Sequence, residues 1–585
     1  MRNSRLHQFA AALVCVVLLW PAAPVGSAIP AAPSPAAAHP VRAKSGMVVS
    51  SHYLASQVGV DILKKGGNAV DAAIATGFAL AVTHPGAGNI GGGGFMLVRL
   101  ANGETRAFDF REQAPAAAHA KMFLNAQGVY DGKSNHEGWL SPGVPGTVAG
   151  FFLAHEKLGK MKMRDLIAPA VRLADRGFAL SWQMGDDFRR NAENFRKYPG
   201  TAKSFLKKNG EPYQQGEIWK QPDLARSLKR IQQRGRDGFY KGETARLLAA
   251  DMKKNGGLIT EADLAAYQAK ERTALRGTYR GFEVIGMPPV SSGGTALIEM
   301  LNILEGYDLA AAGFGSARHL HLLTEAMRRG FADRARYLGD PDFNTDMAGT
   351  VAKLTSKEHA AALRRSIEET RASVSNPSEA TNAGAPESDE TTHYSVIDKD
   401  GNAVVVTYTL EGWYGSHIIA EGTGFLLNNE MGDFNPQPGR TDDTGLIGTP
   451  PNVVAPGKRM LSSMTPAIVV SEGKPYLLIG SPGGRTIINT VLQVVVNTID
   501  FKMDVAEAIA APRIHHQWLP DRINLEKRTT APEVLATLEN YGHKLRVAES
   551  SRSQGRAMGI MVDAKTGIRS GAADPRDGDG AAIGY

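Results

Sequence analysis

The chain has 585 residues, 43% hydrophobic and 21% charged, which excludes fibrous and disordered classes and is enough for several ordinary domains or one large one. Its 66 basic and 59 acidic side chains leave a net charge of +7. They are dispersed, with no basic block longer than pairs such as Lys207-Lys208 and Lys253-Lys254, so a nucleic-acid partner is unsupported.

At the amino terminus Arg2 and Arg5 precede an apolar run from Phe9 to Trp20, followed by Pro21, Pro24 and the small residues Gly26-Ser27-Ala28. This pattern predicts a signal peptide over 1–28, cleaved near Ala28, and an exported protein. A signal anchor is the rival reading, but the run is short for a membrane span and Pro/Ala-rich sequence follows it to His39. The one cysteine, Cys15, lies inside this segment, so the mature chain has no thiol for a disulfide, a redox centre or a thiolate metal site.

Leu54 to Lys65 has helical periodicity and ends at Gly66-Gly67. Asn68 can cap a second, Ala-rich helix from Val70 to about Val82, apolar nearly all round and therefore buried. The glycines 91–94 lead into a strand from Phe95 to Leu100, joined through Asn102-Gly103 to a second from Thr105 to Phe110. Val148 to Lys270 reads as mostly helical, with further helices over Gly294–Leu304 and Ala317–Tyr337. Residues 371–390 are polar and rich in breakers, which predicts an exposed loop. A hairpin follows: Thr391 to Asp398, an Asp-Gly turn, then Ala403 to Leu410. Strands are expected at Phe425–Asn428, Ala467–Val470 and Tyr476–Ile479, and a helix from Thr486 to about Ile499. Helices framing buried sheets imply a layered α/β protein, with no internal repeat.

Several motifs fail on inspection. The glycines 91–94 precede a strand and lack a following Gly-Lys-Ser/Thr, so tight backbone packing is preferred to a nucleotide loop. His155-Glu156 lacks the second histidine of a zinc-protease helix. His515 and His516 are neighbours that point apart in extended chain, which favours hydrogen-bonding roles over a shared ion. Ser481 lacks the glycine two places before it that a nucleophile elbow requires. Gly483-Gly484, between a strand and a helix, fits an oxyanion-binding turn and a plain turn equally well.

Thr391 opens a hydrophobic strand directly after the polar loop. A cut between Glu390 and Thr391 would place a free α-amine beside the threonine hydroxyl, giving a weak nucleophile its own base. Taken alone, these residues fit an uncut loop entering a hairpin at least as well.

The runs Thr391-Thr-His-Tyr-Ser-Val-Ile-Asp398, Gly88-Asn-Ile-Gly-Gly-Gly-Gly-Phe95, Asp109-Phe-Arg-Glu112, Leu461-Ser-Ser-Met464 and Gly480-Ser-Pro-Gly-Gly484 together resemble the γ-glutamyltransferase (γ-glutamyltranspeptidase) family, in matching order from about Ser45 to Tyr585. The resemblance implies an amino-terminal nucleophile hydrolase, a four-layer αββα sandwich made as one precursor that cuts itself before Thr391. It implies a large subunit over 29–390 and a small subunit over 391–585, held together as a heterodimer. It further implies that Thr391 forms a covalent γ-glutamyl ester with donors such as glutathione and passes the group to water, an amino acid or a peptide.

By the same resemblance Thr409 hydrogen-bonds the nucleophile and Gly483 and Gly484 bind the oxyanion. Arg111, Ser462 and Ser463 hold the donor α-carboxylate, while Asp433, Glu430 and Glu411 hold its α-ammonium. No cofactor, metal or stable membrane anchor is implied. Three departures stand out: Glu411 where many bacterial members have asparagine, Met460 where proline is usual, and Thr444 where the lid over 435–458 is expected to carry an aromatic gate. The last implies weak gating and more hydrolysis relative to transfer. The competing readings are an acylase for glutaryl or cephalosporin-type side chains on the same fold, and an uncut, non-enzymatic exported binding module. A thiol-free exported chain points to a bacterial periplasm, with secretion as the alternative.

Overall fold

The computed structural model describes residues 39–379, 383–384, 390–527, 530–548 and 554–585; the expected signal peptide and its cleavage point lie outside them. Its centre is a pair of seven-stranded antiparallel sheets. The first runs, edge to edge, Ala581–Gly584, Met47–Ser50, Thr392–Ile397, Ala403–Thr409, Gly93–Arg99, Thr105–Phe110 and Lys270–Arg272. The second runs Val41–Ala43, Arg569–Ala573, Met558–Val562, Lys474–Gly480, Ala467–Ser471, Phe282–Gly286 and Leu275–Tyr279.

Three apolar layers bind these sheets into four. Between them lie Met47, Val49, Phe95, Leu97 and Val405 from one sheet against Ile285, Ile468, Val470, Leu478 and Ile560 from the other. On the outer face of the first sheet sits the helix Ala69–Thr83, buried along its whole length as its apolar circumference requires, with Tyr53–Lys64 and Met163–Arg176 around it. On the outer face of the second sit Gly293–Leu304, Ala317–Tyr337 and Thr486–Ile499. This is the expected αββα order. Because both faces of the central strands are covered, Thr392–Ile397 and Ala403–Thr409 are buried at every position rather than alternating.

Most expected elements fall within two residues of their observed bounds. Asn68 caps its helix, and Asp71 returns the bond to the Asn68 amide in a reciprocal capping box. The helices Ala317–Tyr337 and Thr486–Ile499 match in full. The expected strand at Phe425–Asn428 is a correction: the segment forms only an isolated bridge, Leu426 with Ile419, and then serves other elements through Asn428, whose amide group bonds Gly91 and Gly143 carbonyls. Of the loop expected over 371–390, residues 380–382 and 385–389 lie outside the described residues, and Ala383–Gly384 pairs with Ile447–Gly448. Gly91–Gly94 packs as tightly as inferred: a Cβ on Gly92 would stand 2.0 Å from the Thr409 carbonyl oxygen.

One buried ion network ties the carboxy-terminal strands together. Asp574, 1% exposed, accepts from Arg513 at 2.6 Å, from Arg576 and from the Ala557 amide. Burial disfavours its charge, but Arg513 and Arg576 outweigh that and hold the carboxyl below its ordinary range. Arg576 keeps Glu526 at 2.6 Å, but removing Asp574 takes the ion-pair partner from the buried Arg513, so Asp574→Ala should destabilise the protein by about 3 kcal/mol, read as a lowered urea midpoint. An unchanged midpoint would refute this account of the network.

Candidate active site

Thr391 is 4% exposed and immediately precedes the strand Thr392–Ile397, which lies third in its sheet between Met47–Ser50 and Ala403–Thr409. At this end Thr392 pairs with Tyr408, and its hydroxyl lies 2.9 Å from Ser51 Oγ. Its hydroxyl donates to the carbonyl oxygen of Glu390 at 2.7 Å. The Thr409 hydroxyl, at the end of the neighbouring strand, donates to the same carbonyl at 3.1 Å. Thr409 Oγ1 also accepts from the Glu411 amide at 2.8 Å, which directs its proton toward Glu390. Two hydroxyls thus converge on one peptide carbonyl.

That carbonyl sits in a narrow cleft, with about 20 Å³ of room for water-sized molecules, lined by Arg111, Glu390, Thr391, Thr409, Glu411, Glu430, Asp433, Ser462, Ser463, Met464, Gly484 and Ile487. Every expected site residue except Gly483 faces this space, and Gly483 is the preceding turn residue. Gly483 and Gly484 have φ of 132° and 50° between the strand Lys474–Gly480 and the helix Thr486–Ile499, values that favour glycine at both positions.

The charges are unevenly matched. Arg111, 1% exposed, lies 2.7 Å from Glu430, contacts Asp433, has Glu112 at 3.6 Å, and donates through Nε to the Met460 carbonyl at 3.2 Å. The Glu430 approach is a close ion pair set off the hydrogen-bond axis, and both carboxylate oxygens of Glu430 and of Glu112 lack hydrogen-bond partners among the described residues. One guanidinium cannot neutralise so many acids in a dry site. Burial, with the neighbouring acids, pushes Glu430 well above the carboxylate range, and burial against the partial relief from Arg111 raises Glu112 to about 8. The cleft is short of positive charge.

The serine loop is braced from behind. The Ser292 amide and hydroxyl both donate to the Ser462 carbonyl, at 2.8 and 2.6 Å, and Arg334 donates to Ser292 Oγ at 2.8 Å and to Ser463 Oγ at 2.9 Å. Met460, the residue in the usual proline position, is fully buried among Ala114, Phe123, Met431 and Phe434. Thr444 is exposed, bonds Asp442 at 2.6 Å and does not line the cleft. His515 and His516 hydrogen-bond Asn489 and Asp521, as adjacent core histidines were expected to do.

Three participants were missed from the sequence. Arg334 and Glu112 lie on elements that were read for packing alone, although Glu112 adjoins a residue already singled out. Arg556 pairs with the Glu390 side chain and lies over the Trp413 ring, 5.2 Å from its centroid. It is 166 residues away, and no local pattern marks it.

The sequence model described as Gamma-glutamyltranspeptidase matches residues 55–585. A glutathione hydrolase proenzyme of Escherichia coli (strain K12) is 50% identical over 547 residues, covering 94% of this chain and 93% of its own. The crystal structure of a cephalosporin acylase from Bacillus halodurans superposes with a TM-score of 0.84 at 28% identity, covering 95% of this chain and 98% of its own. That of a Helicobacter pylori gamma-glutamyltranspeptidase is 48% identical, covering 56% of this chain and 92% of its own with a TM-score of 0.54.

The raised Glu112 carboxyl has a measurable consequence. Because its folded value lies near 8 and its unfolded value near 4.5, the folded state holds the extra proton between those limits and loses stability as pH rises through them. Glu112→Gln, which cannot ionise, should therefore gain stability relative to the wild type on going from pH 5 to pH 8. Urea unfolding at both pH values checks this, and a pH-independent difference would sink it.

Proposed function

The chain belongs to the γ-glutamyltranspeptidase family, and we infer that it hydrolyses glutathione and related γ-glutamyl amides, and transfers the γ-glutamyl group, through an ester on Thr391. The observation that carries this reading is the Thr391 hydroxyl bonded to the carbonyl just ahead of it, at the rigid end of a central strand. In the uncut chain that contact is the start of self-cleavage. Thr391 Oγ attacks the Glu390 carbonyl carbon, the hydroxyl proton passes to the departing nitrogen, and the Glu390–Thr391 amide becomes an ester. Water then opens the ester. The products are the 390 carboxylate and a free threonine amine, giving a large subunit ending at Glu390 and a small one of 391–585.

The new amine has an ordinary pKa of about 7.7–8.0, suited to taking the hydroxyl proton and returning it. Thr409 orients the hydroxyl. The Gly483 and Gly484 amides stabilise the oxyanion, a contribution on the order of 3 kcal/mol per donor. Arg111 with Ser462 and Ser463 takes the donor α-carboxylate, and Asp433, Glu430 and Glu411 take its α-ammonium.

Arg111 is already paired with Glu430 and Asp433 in the uncut chain. A zwitterion can exchange into such pairs, its carboxylate replacing an acid on Arg111 and its ammonium replacing Arg111 on the acids. The exchange leaves the net charge of the cleft unchanged. A glutaryl side chain has no ammonium and would leave the acids uncompensated, which favours a glutamyl donor over the acylase reading. The 50% identity to a glutathione hydrolase proenzyme, against 28% to the cephalosporin acylase, points the same way.

No helix among the described residues is long and apolar enough to cross a membrane. The amino-terminal signal pattern supports an exported, periplasmic enzyme, with secretion as the alternative.

A denaturing gel of purified protein should give two fragments, and Thr391→Ala one full-length band without γ-glutamyl anilide hydrolysis. A single wild-type band, or full activity in Thr391→Ala, would overturn the reading. Because Thr444 offers no bulk over the cleft, Thr444→Tyr should raise the ratio of transfer to hydrolysis with a dipeptide acceptor. No change in that ratio would count against the lid as a gate.

A further inference from the structure

The helices over the second sheet hold a cluster of two acids and a histidine that the chemistry at Thr391 does not use. Glu299 on Gly293–Leu304, Asp333 on Ala317–Tyr337 and His359 on Lys357–Arg364 come from three separate helices, and each offers one ligating atom to a common point, all within 4.8 Å of one another. His359 Nε2 is 2.7 Å from Asp333 Oδ2 and 3.9 Å from Glu299 Oε1. Glu299 is 1% exposed, and its Oε1 has no hydrogen-bond partner among the described residues. A dry carboxylate oxygen that faces a second acid is costly unless something positive sits between them.

The charged groups around the cluster do not fill that gap. Arg336 lies 3.8 Å from Asp333 Oδ1, the oxygen that does not meet His359. Arg334 donates to Ser292 and Ser463, and Lys357 donates to the Thr278 carbonyl, Asn302 and Glu305. Glu358, beside His359, is exposed. Burial, with Asp333 close by, accordingly pushes Glu299 well above the carboxylate range. A second group of ligating atoms, from His321, Glu325 and His543, is different because it is already satisfied. There Glu325 pairs with Arg328 and Arg329 and accepts from Ser373, and the two imidazoles bond each other at 2.8 Å.

The geometry suits an ion. Ligands held about 2.0–2.2 Å from one metal stand about 3.0–3.6 Å apart in a tetrahedral site. The Asp333–His359 contact has to open, and the Glu299–His359 contact to close, by less than about 1 Å each, which side-chain rotation supplies. The His359 side chain is 16% exposed, so the cluster has an entry path and room for water to complete the coordination. One imidazole with two carboxylates and no thiolate is a donor set for borderline divalent ions such as Zn²⁺ or Mn²⁺.

We propose that Glu299, Asp333 and His359 bind one divalent metal ion of this class, which clamps together the three helices that cover the second sheet. The clamp also bears on the cleft. Ser292, immediately before Gly293–Leu304, and Arg334, beside Asp333, are the two residues that brace the serine loop, so an ion between their helices steadies that brace from outside.

The test uses the whole enzyme without an affinity tag, dialysed against EDTA and titrated calorimetrically with ZnCl₂ and with MnCl₂ near neutral pH. Wild type should take up one ion of at least one metal per enzyme molecule, and its thermal midpoint should rise when loaded. Glu299→Gln, which keeps the side-chain shape, and His359→Ala, at the half-buried rim, should each weaken that binding by about tenfold or more. Circular dichroism checks that each variant is folded, and if Glu299→Gln is not, His359→Ala decides alone. Uptake of neither ion by wild type would overturn the assignment and leave a proton shared between Glu299 and Asp333 as the filler. Binding that survives substitution at full strength would place the ion elsewhere and overturn it equally.

Discussion

A strand paired on both edges cannot leave its sheet when the peptide bond before it breaks. That constraint underlies the rest of this molecule. Thr392–Ile397 is held by Met47–Ser50 on one side and Ala403–Thr409 on the other, and each of the two large sheets mixes strands from before and after Glu390. Neither half of the chain could bury its own apolar surface alone. The interior layer of Phe95, Leu97, Val405 and Ile468 draws on both. Breaking one bond at the end of Thr392–Ile397 would therefore change chemistry at Thr391 with little change in packing.

The same rigidity makes the electrostatics of the cleft consequential. In a loose, wet site the acids around Arg111 would be screened and individually worth little. Here Arg111, Glu112 and Glu430 are almost wholly buried, and relaxation cannot hide their imbalance. An unliganded site that holds raised carboxyls and too few cations is in a poor electrostatic state. A ligand that supplies an ammonium and a carboxylate together improves it, whereas one that supplies only a carboxylate makes it worse.

What was legible in the sequence had local causes. The Asn68 cap, the apolar circumference of Ala69–Thr83, the hairpin around Asp398 and the glycines before the helix Thr486–Ile499 each carry their signal within a few residues. What was illegible depended on distant partners. The strand Val41–Ala43 is short, and it exists because Arg569–Ala573, near the other end of the chain, pairs with it at the sheet edge. Phe425–Asn428 has strand-like composition, but its hydrogen bonds go to Gly91, Gly143 and Ile418 rather than to a ladder. Within the cleft, the cluster was recoverable only by resemblance, since Arg111, Asp433 and Ser463 each look like ordinary surface residues in isolation. Arg334 and Arg556 act through the fold and left no trace in sequence.

A larger cavity, walled by Gly412, Trp413 and Asn429, adjoins the cleft, and the relation of the two bears on how an acyl enzyme chooses between water and an amine. Water needs no site, so hydrolysis proceeds whenever the ester is exposed. An amine competes only through effective concentration, which a subsite raises by holding the acceptor a fixed distance from the carbonyl. Thr444 is exposed, bonded to Asp442 and outside the cleft lining, so its side chain offers no cover over the ester position. Glu411 faces the small cleft, bonds Thr409 through its amide, and begins the loop of left-handed residues that walls the larger cavity. One backbone amide, that of Glu411, thus links the wall of the larger cavity to the Thr409 hydroxyl that shares the Glu390 carbonyl with Thr391.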